Sequence, residues 1–143
     1  MWNGKGYNTY GDVEYEIKEG NGYIKEYNDY GRLIFEGEYL NGERNGKGKE
    51  YNEYDGNLIF EGEYLNGKRW NGKGYNKKGN IEFEIKDGKG KVKEYNYYGN
   101  LIFEGEYLNG ERNGKGKEYY YDGKLKFEGE YLNGKKKWKE YNW

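Results

Sequence analysis

Residues 33–51 read LIFEGEYLNGERNGKGKEY, and the same letters return unchanged at 101–119. At the centre of the stretch, Asn41-Gly42 is a two-residue type I′ turn signal, because both central residues of that turn need φ > 0. Taken as the turn, it pairs Leu40 with Glu43, Tyr39 with Arg44, Gly37 with Gly46, Glu36 with Lys47 and Phe35 with Gly48. Strand alternation then collects Phe35, Gly37, Tyr39, Gly46 and Gly48 on one face. Ile34, Glu36, Glu38, Lys47 and Lys49 fall on the other. Bare glycines thus lie beside aromatic rings that cover them. The charged face carries cross-strand Glu–Lys pairs, each worth only about 0.2–1 kcal/mol.

The next connection carries the same pattern onward. Tyr54-Asp55-Gly56 reads as a three-residue loop with Gly56 in the left-handed region. Glu50 then faces Phe60, Lys49 faces Glu61, Gly48 faces Gly62 and Gly46 faces Tyr64. In the later copy this connection is one residue shorter. A two-residue turn at Asp122-Gly123 restores the partners: Glu118 with Phe127, Lys117 with Glu128, Gly116 with Gly129. An uncompensated deletion would flip every side chain to the opposite face.

Working outward, LIFEGEYLNG stands at 33–42, 58–67 and 101–110, and LKFEGEYLNG at 125–134. A shorter unit alternates with it: VEYEIKEGNGYIKEYN from Val13 and IEFEIKDGKGKVKEYN from Ile81. Trp2 aligns with Trp70 and Leu33 with Leu101, a duplicated superperiod of about 68 residues. Basic units of roughly 20–25 residues are the size of small repeat modules. The pattern predicts an all-β chain: an elongated, single-layer, twisted antiparallel meander of stacked hairpins with about 12 strands. Residues 1–143 form one repeat domain with no linker. Recurrent Gly-x-Gly argues against helix, at about 1 kcal/mol per glycine.

Composition narrows the chemistry. The 143 residues carry 25 Lys and Arg against 26 Asp and Glu, which argues against a nucleic-acid binder built on a basic face. Hydrophobic residues make up only 33%, too few for a thick two-layer core, while Tyr alone numbers 20. Cys, His, Ser, Ala, Gln and Pro are absent, and Thr9 is the single threonine. With no Cys or His there is no disulfide, no thiol nucleophile and no usual metal ligand, so no cofactor is expected. With no Ser there is no Ser-His-Asp triad. No apolar run approaches 18 residues, and Met1 to Tyr10 lacks a signal-peptide core, so the expected location is cytoplasmic.

The units resemble MORN repeats. Phe35, Gly37, Glu38 and Tyr39 supply the opening aromatic-x-Gly-Glu-aromatic element. Asn41, Gly42 and Arg44 supply the next, Gly46 and Gly48 the Gly-x-Gly, and Tyr51, Asp55 and Gly56 the closing element. The antitoxin-like bacterial variants of this repeat are similar too. Two departures stand out. Tyr occupies the second aromatic position, where Trp is common, and the units near Ile17 and Ile85 lack the Gly-Glu-aromatic core. The resemblance implies a non-enzymatic scaffold that binds protein partners or itself.

Each candidate site has a plainer reading beside it. Glu36 and Glu38 form a recurring carboxylate pair, but facing lysines they read as a solvated charge ladder. Gly46-Lys47-Gly48-Lys49 has the look of a phosphate-cradling loop without the helix start that such a loop needs. The basic stretch 134–143, with Lys135, Lys136, Lys137, Lys139, Trp138 and Trp143, offers weak contact with anionic membrane, or a solvated terminal cap. Tyr39, Tyr64, Tyr107 and Tyr131 belong to the aromatic stripe and are the expected partner-binding residues, since Tyr suits interfaces. The N-terminal end, Trp2 to Thr9, carries fewer charges and is the expected route for edge pairing. A carbohydrate-binding aromatic module, an antitoxin or immunity role and a consensus repeat without a biological task stay open beside the scaffold.

Overall fold

In the computed structural model, the described residues are 4–7, 13–17 and 22–137, the first two segments by backbone alone. They form thirteen strands and no helix: β1 Gly4–Tyr7, β2 Val13–Ile17, β3 Gly22–Tyr27, β4 Leu33–Leu40, β5 Glu43–Tyr51, β6 Leu58–Leu65, β7 Lys68–Tyr75, β8 Ile81–Ile85, β9 Gly90–Tyr95, β10 Leu101–Leu108, β11 Glu111–Tyr119, β12 Leu125–Leu132 and β13 Lys135–Lys137. Every pairing is antiparallel and between sequence neighbours. The turns are those the letters demand. Asn41 and Gly42 have φ of 52° and 81°, and Asn66-Gly67, Asp87-Gly88, Asn109-Gly110 and Asn133-Gly134 repeat the conformation.

The meander differs from one unbroken ladder. β3–β8 form one six-stranded sheet, β9–β13 a five-stranded one and β1–β2 a pair. The interruptions fall at the two departing units, and sterics explain why. Where β4 meets β5, Gly37 lies opposite Gly48, so closely that a Cβ on Gly37 would sit 2.6 Å from the Gly48 Cα. In the short unit, Ile85 and Val92 take the corresponding sequence positions. Both are buried. Two branched side chains do not fit where two glycines touch, so β8 and β9 share only a bridge between Lys86 and Lys89. Ile17 and Ile24 stand at the matching sequence positions between β2 and β3. Each isoleucine or valine instead meets a glycine on its other side: Ile85 pairs with Gly72, Val92 with Gly105 and Ile24 with Gly37.

The first hairpin also corrects the expected register. Leu40–Glu43 and Tyr39–Arg44 hold, but beyond them Gly37 pairs with Gly48, Glu36 with Lys49 and Phe35 with Glu50. A bulge absorbs two residues of β5. Gly46 takes φ of 98°, and the Lys47 amide donates to Glu38 Oε2 at 2.8 Å. A two-residue slip keeps each side chain on its face, so the face assignment survives. The bulge recurs at Glu106 and Lys115. The β5–β6 and β11–β12 partners are those expected. Their connections are each one residue longer than expected: Asn52 and Asn57 bracket four residues, and Tyr120 and Lys124 bracket three.

The core is the aromatic face. Phe35, Phe60 and Phe103 are fully buried, joined by Tyr64, Phe83, Ile85, Val92 and Tyr131. Phe35 covers the glycines: a Cβ on Gly48 would lie 2.7 Å from its ring. The core runs across the sheet break, since Phe60, Phe83, Ile85 and Val92 form one cluster against which Tyr107 packs.

Candidate functional site: a charge-laddered aromatic groove

Over this face lies a groove of about 550 Å³. Its walls come from both larger sheets, with Arg44, Glu50 and Arg69 from one and Glu94, Tyr97 and Tyr107 from the other. Each arginine is the second residue after a turn and lies over a core ring. The Arg44 guanidinium sits 4.0 Å from the Phe35 centroid, Arg69 4.7 Å from Phe60 and Arg112 4.1 Å from Phe103. Lys136 takes the same place over Phe127 at 4.8 Å. Such contacts are worth about 0.5–2 kcal/mol.

The cations are held in place by carboxylates from the alternate strands. Arg44 donates to Glu26 and to Glu50, each at 2.9 Å. Arg69 donates to Glu50 as well. Arg112 donates to Glu94 at 2.9 Å and to Glu118 at 3.0 Å, and Lys136 pairs with Glu118 at 2.7 Å. The result is two Glu–cation ladders, Glu26–Arg44–Glu50–Arg69 and Glu94–Arg112–Glu118–Lys136, running perpendicular to the strands. Burial alone would push the Glu94 carboxyl up, but the donors Arg112 and Tyr107 hold it below its ordinary value. Glu118 is likewise lowered, its burial outweighed by Lys136 and Arg112.

The four stripe tyrosines occupy two kinds of place. Tyr64 and Tyr131 are 3% exposed, wedged edge-on between Phe35 and Phe60 and between Phe103 and Phe127. Tyr39 and Tyr107 are half-buried at the rim of the aromatic face. Tyr107 donates to Glu94 at 2.6 Å. Burial and a hydrogen bond to Glu26 push the Tyr39 phenol up to about 12.

The remaining candidates have structural employment. Glu36 pairs with Lys49 and accepts the Tyr51 hydroxyl at 2.7 Å. Glu38 caps the bulge. Gly46 to Lys49 lie within β5, not at a helix start. In the basic stretch, Lys136 and Lys137 pair with Glu118 and Glu130, while Trp138, Lys139 and Trp143 lie outside the described residues. So do the side chains of Trp2 to Thr9.

Two features escape a reading of the letters one hairpin at a time. One is the ladder, whose signal is Lys-Glu-Tyr and Glu-Arg-Asn recurring at a fixed separation. The other is the stacking of turns. Asn45, Asn71 and Asn113 each accept the backbone amide of the next turn through Oδ1, and the Gly67, Gly88 and Gly134 amides donate to Arg44, Trp70 and Arg112 carbonyls at 2.8 Å.

The model of the family described as MORN repeat matches residues 35–52 and 103–124. No curated protein matches the chain. The two matched segments each hold a bulged hairpin with its arginine on the core phenylalanine. Repeats of this family are associated with protein and membrane interaction. The chain thus carries MORN repeats at 35–52 and 103–124, in keeping with its antiparallel hairpins.

Proposed function

We propose that this chain is a non-catalytic scaffold whose aromatic groove holds a segment of a protein partner. The observation that carries the reading is the groove itself. It is lined by Phe83, Tyr97 and Tyr107 and by paired Arg and Glu, and Tyr97 and Tyr107 keep part of their surface in water. Planar guanidinium groups and tyrosine hydroxyls present donors and apolar area together, which is the chemistry of protein-binding hot spots. The ionisable groups of the groove are engaged with one another, Tyr107 with Glu94 and Arg44 with Glu50, which supports binding over turnover. Contact with anionic membrane is a lesser part of the proposal, because Lys136 and Lys137 are already engaged.

A photo-reactive side chain placed at Tyr107 tests this in cells of the source organism, with a matching probe at Glu130 on the charged face as the control. Cross-links to one protein from Tyr107 and not from Glu130 support the groove. Equal labelling from both positions, or a hydrolytic activity lost in Glu38→Gln, overturns it.

A further inference from the structure

The charged face of the five-stranded sheet bears a trough of about 640 Å³. Two rows of side chains wall it, and both rows cross the strands. Strand pairing sets Lys93, Glu104, Lys117 and Glu128 side by side in one row, and Lys91 beside Glu106 in the other. Lys115, whose amide donates to Glu106 at 2.8 Å, continues the second row. Between the rows the floor is bare backbone at Gly105, Gly116 and Gly129. Lysine and glutamate alternate along each row, so the charges of the walls cancel and no net field selects an ion.

One step further along the same strands, a row of tyrosines runs beside the trough. Phe103 pairs with both Glu94 and Glu118. Tyr95 and Tyr119, each the next residue, therefore stand two strands apart, at about 9.6 Å. Pairing through Phe35 gives Tyr27 and Tyr51 the same spacing in the six-stranded sheet, and pairing through Phe60 adds Tyr75. Carboxylates of the charged face fix the ring tips. Tyr119 donates to Glu104 Oε1 at 2.6 Å and Tyr51 to Glu36 Oε1 at 2.7 Å. Burial and the neighbouring Glu82 raise the Tyr95 phenol. Tyr95 and Tyr119 are half-buried, so part of each ring stays in water.

We propose that this face binds an extended, uncharged, β-linked polysaccharide of the cellulose or chitin type. In such a chain successive sugars are turned over, so the same face recurs at every second ring, close to the two-strand spacing of the tyrosines. The C–H faces of the sugars stack on the aromatic rings. Their hydroxyls donate to the glutamates of the walls and accept from the lysines. Alternating Lys and Glu match a neutral polymer, because along each row they repel a polyanion and a polycation alike at every second residue. Lys93 and Tyr95 also border the groove, whereas Glu104, Lys117 and Tyr119 do not.

Titration calorimetry with cellohexaose and with chitohexaose tests this, beside maltohexaose as the α-linked control and polygalacturonate as the charged one. At least one β-linked hexasaccharide is expected to bind, more tightly than its disaccharide and equally at low and high salt, and neither control is. Tyr119→Ala weakens binding about tenfold or more, while Tyr119→Phe, which keeps the ring, retains it, and circular dichroism checks that both variants fold. Absence of binding to both β-linked chains overturns the proposal. So do equal binding of maltohexaose, binding abolished by salt, a Tyr119→Phe chain that folds and no longer binds, or a folded Tyr119→Ala chain of wild-type affinity. No protein partner enters these measurements, so this reading and that of the groove fail separately.

Discussion

Phe35 concentrates three functions in one ring. It fills the core, it covers Gly48 where the strands approach most closely, and it carries the Arg44 guanidinium on its face. Phe35→Ala therefore removes packing that nothing else supplies, at a cost of about 3–5 kcal/mol. Glu36→Gln weakens only half-exposed contacts, at well under about 1 kcal/mol. Urea melts should rank the two in that order, and the reverse order would assign the faces wrongly. The titrating groups set limits at both ends of the pH scale. Glu94 and Glu118 have lowered folded pKa values, so the stability they contribute is present above the ordinary carboxylate value of 4.5 and is lost as pH falls through the lowered ones. Tyr39 and Tyr131 are raised to about 12, chiefly by burial, with Glu26 and Glu118 adding to it. Their contribution is full below the ordinary value of 10.0 and disappears as pH climbs towards 12. Thermal melts should show a plateau between these limits. A stability still rising between pH 10 and pH 12 would contradict the burial of these phenols.

Among the elements, the turns declare themselves in the letters and the bulges do not. Asn41-Gly42 admits one common hairpin conformation, because two successive positive φ values exclude most residues. The face of each strand follows from period-two alternation, and a slip by an even number leaves it intact. Gly46 gave no such notice. In a chain this rich in Gly-x-Gly, a bulge glycine and a glycine beneath a ring look alike until Glu38 is seen reaching the Lys47 amide. The groove was half legible for a similar reason. Its rings lie on the stripe that alternation defines, but the Glu50–Arg69 contact joins residues of strands that are not neighbours. Pairing rules for adjacent strands do not address such contacts. The break between β8 and β9 was marked in the letters by Ile85 and Val92 standing in glycine positions, and its meaning is steric. With only the Lys86–Lys89 bridge across it, this junction has less strand pairing than any hairpin within the two larger sheets. Amide hydrogen exchange should be faster there than at the centre of β4–β6. Equal protection across β8 and β9 would mean that the ladder is continuous.

At the scale of the whole molecule, the repeat works as a one-dimensional stack in which each hairpin is fastened to the next three times over: by the strand ladder, by the turn amides donated to the preceding unit, and by a carboxylate shared between successive cations. At the sheet break the strand ladder and the shared carboxylates lapse, and the turn amides continue. The Gly88 amide reaches Trp70, the Gly110 amide reaches Gly88 at 3.0 Å, and Lys68 pairs with Glu111 at 2.5 Å. The core also passes through without a gap. Such a molecule holds a long groove open at little cost in core volume, which suits a chain with so few aliphatic residues. Protein binding in this groove is read out by calorimetric titration with the partner identified by cross-linking. Tyr97→Ser with Tyr107→Ser should lower the affinity about tenfold or more, since truncated hot-spot residues cost about 2 kcal/mol or more, while the circular dichroism spectrum stays that of the wild type. Unchanged affinity in a folded double variant would contradict the claim.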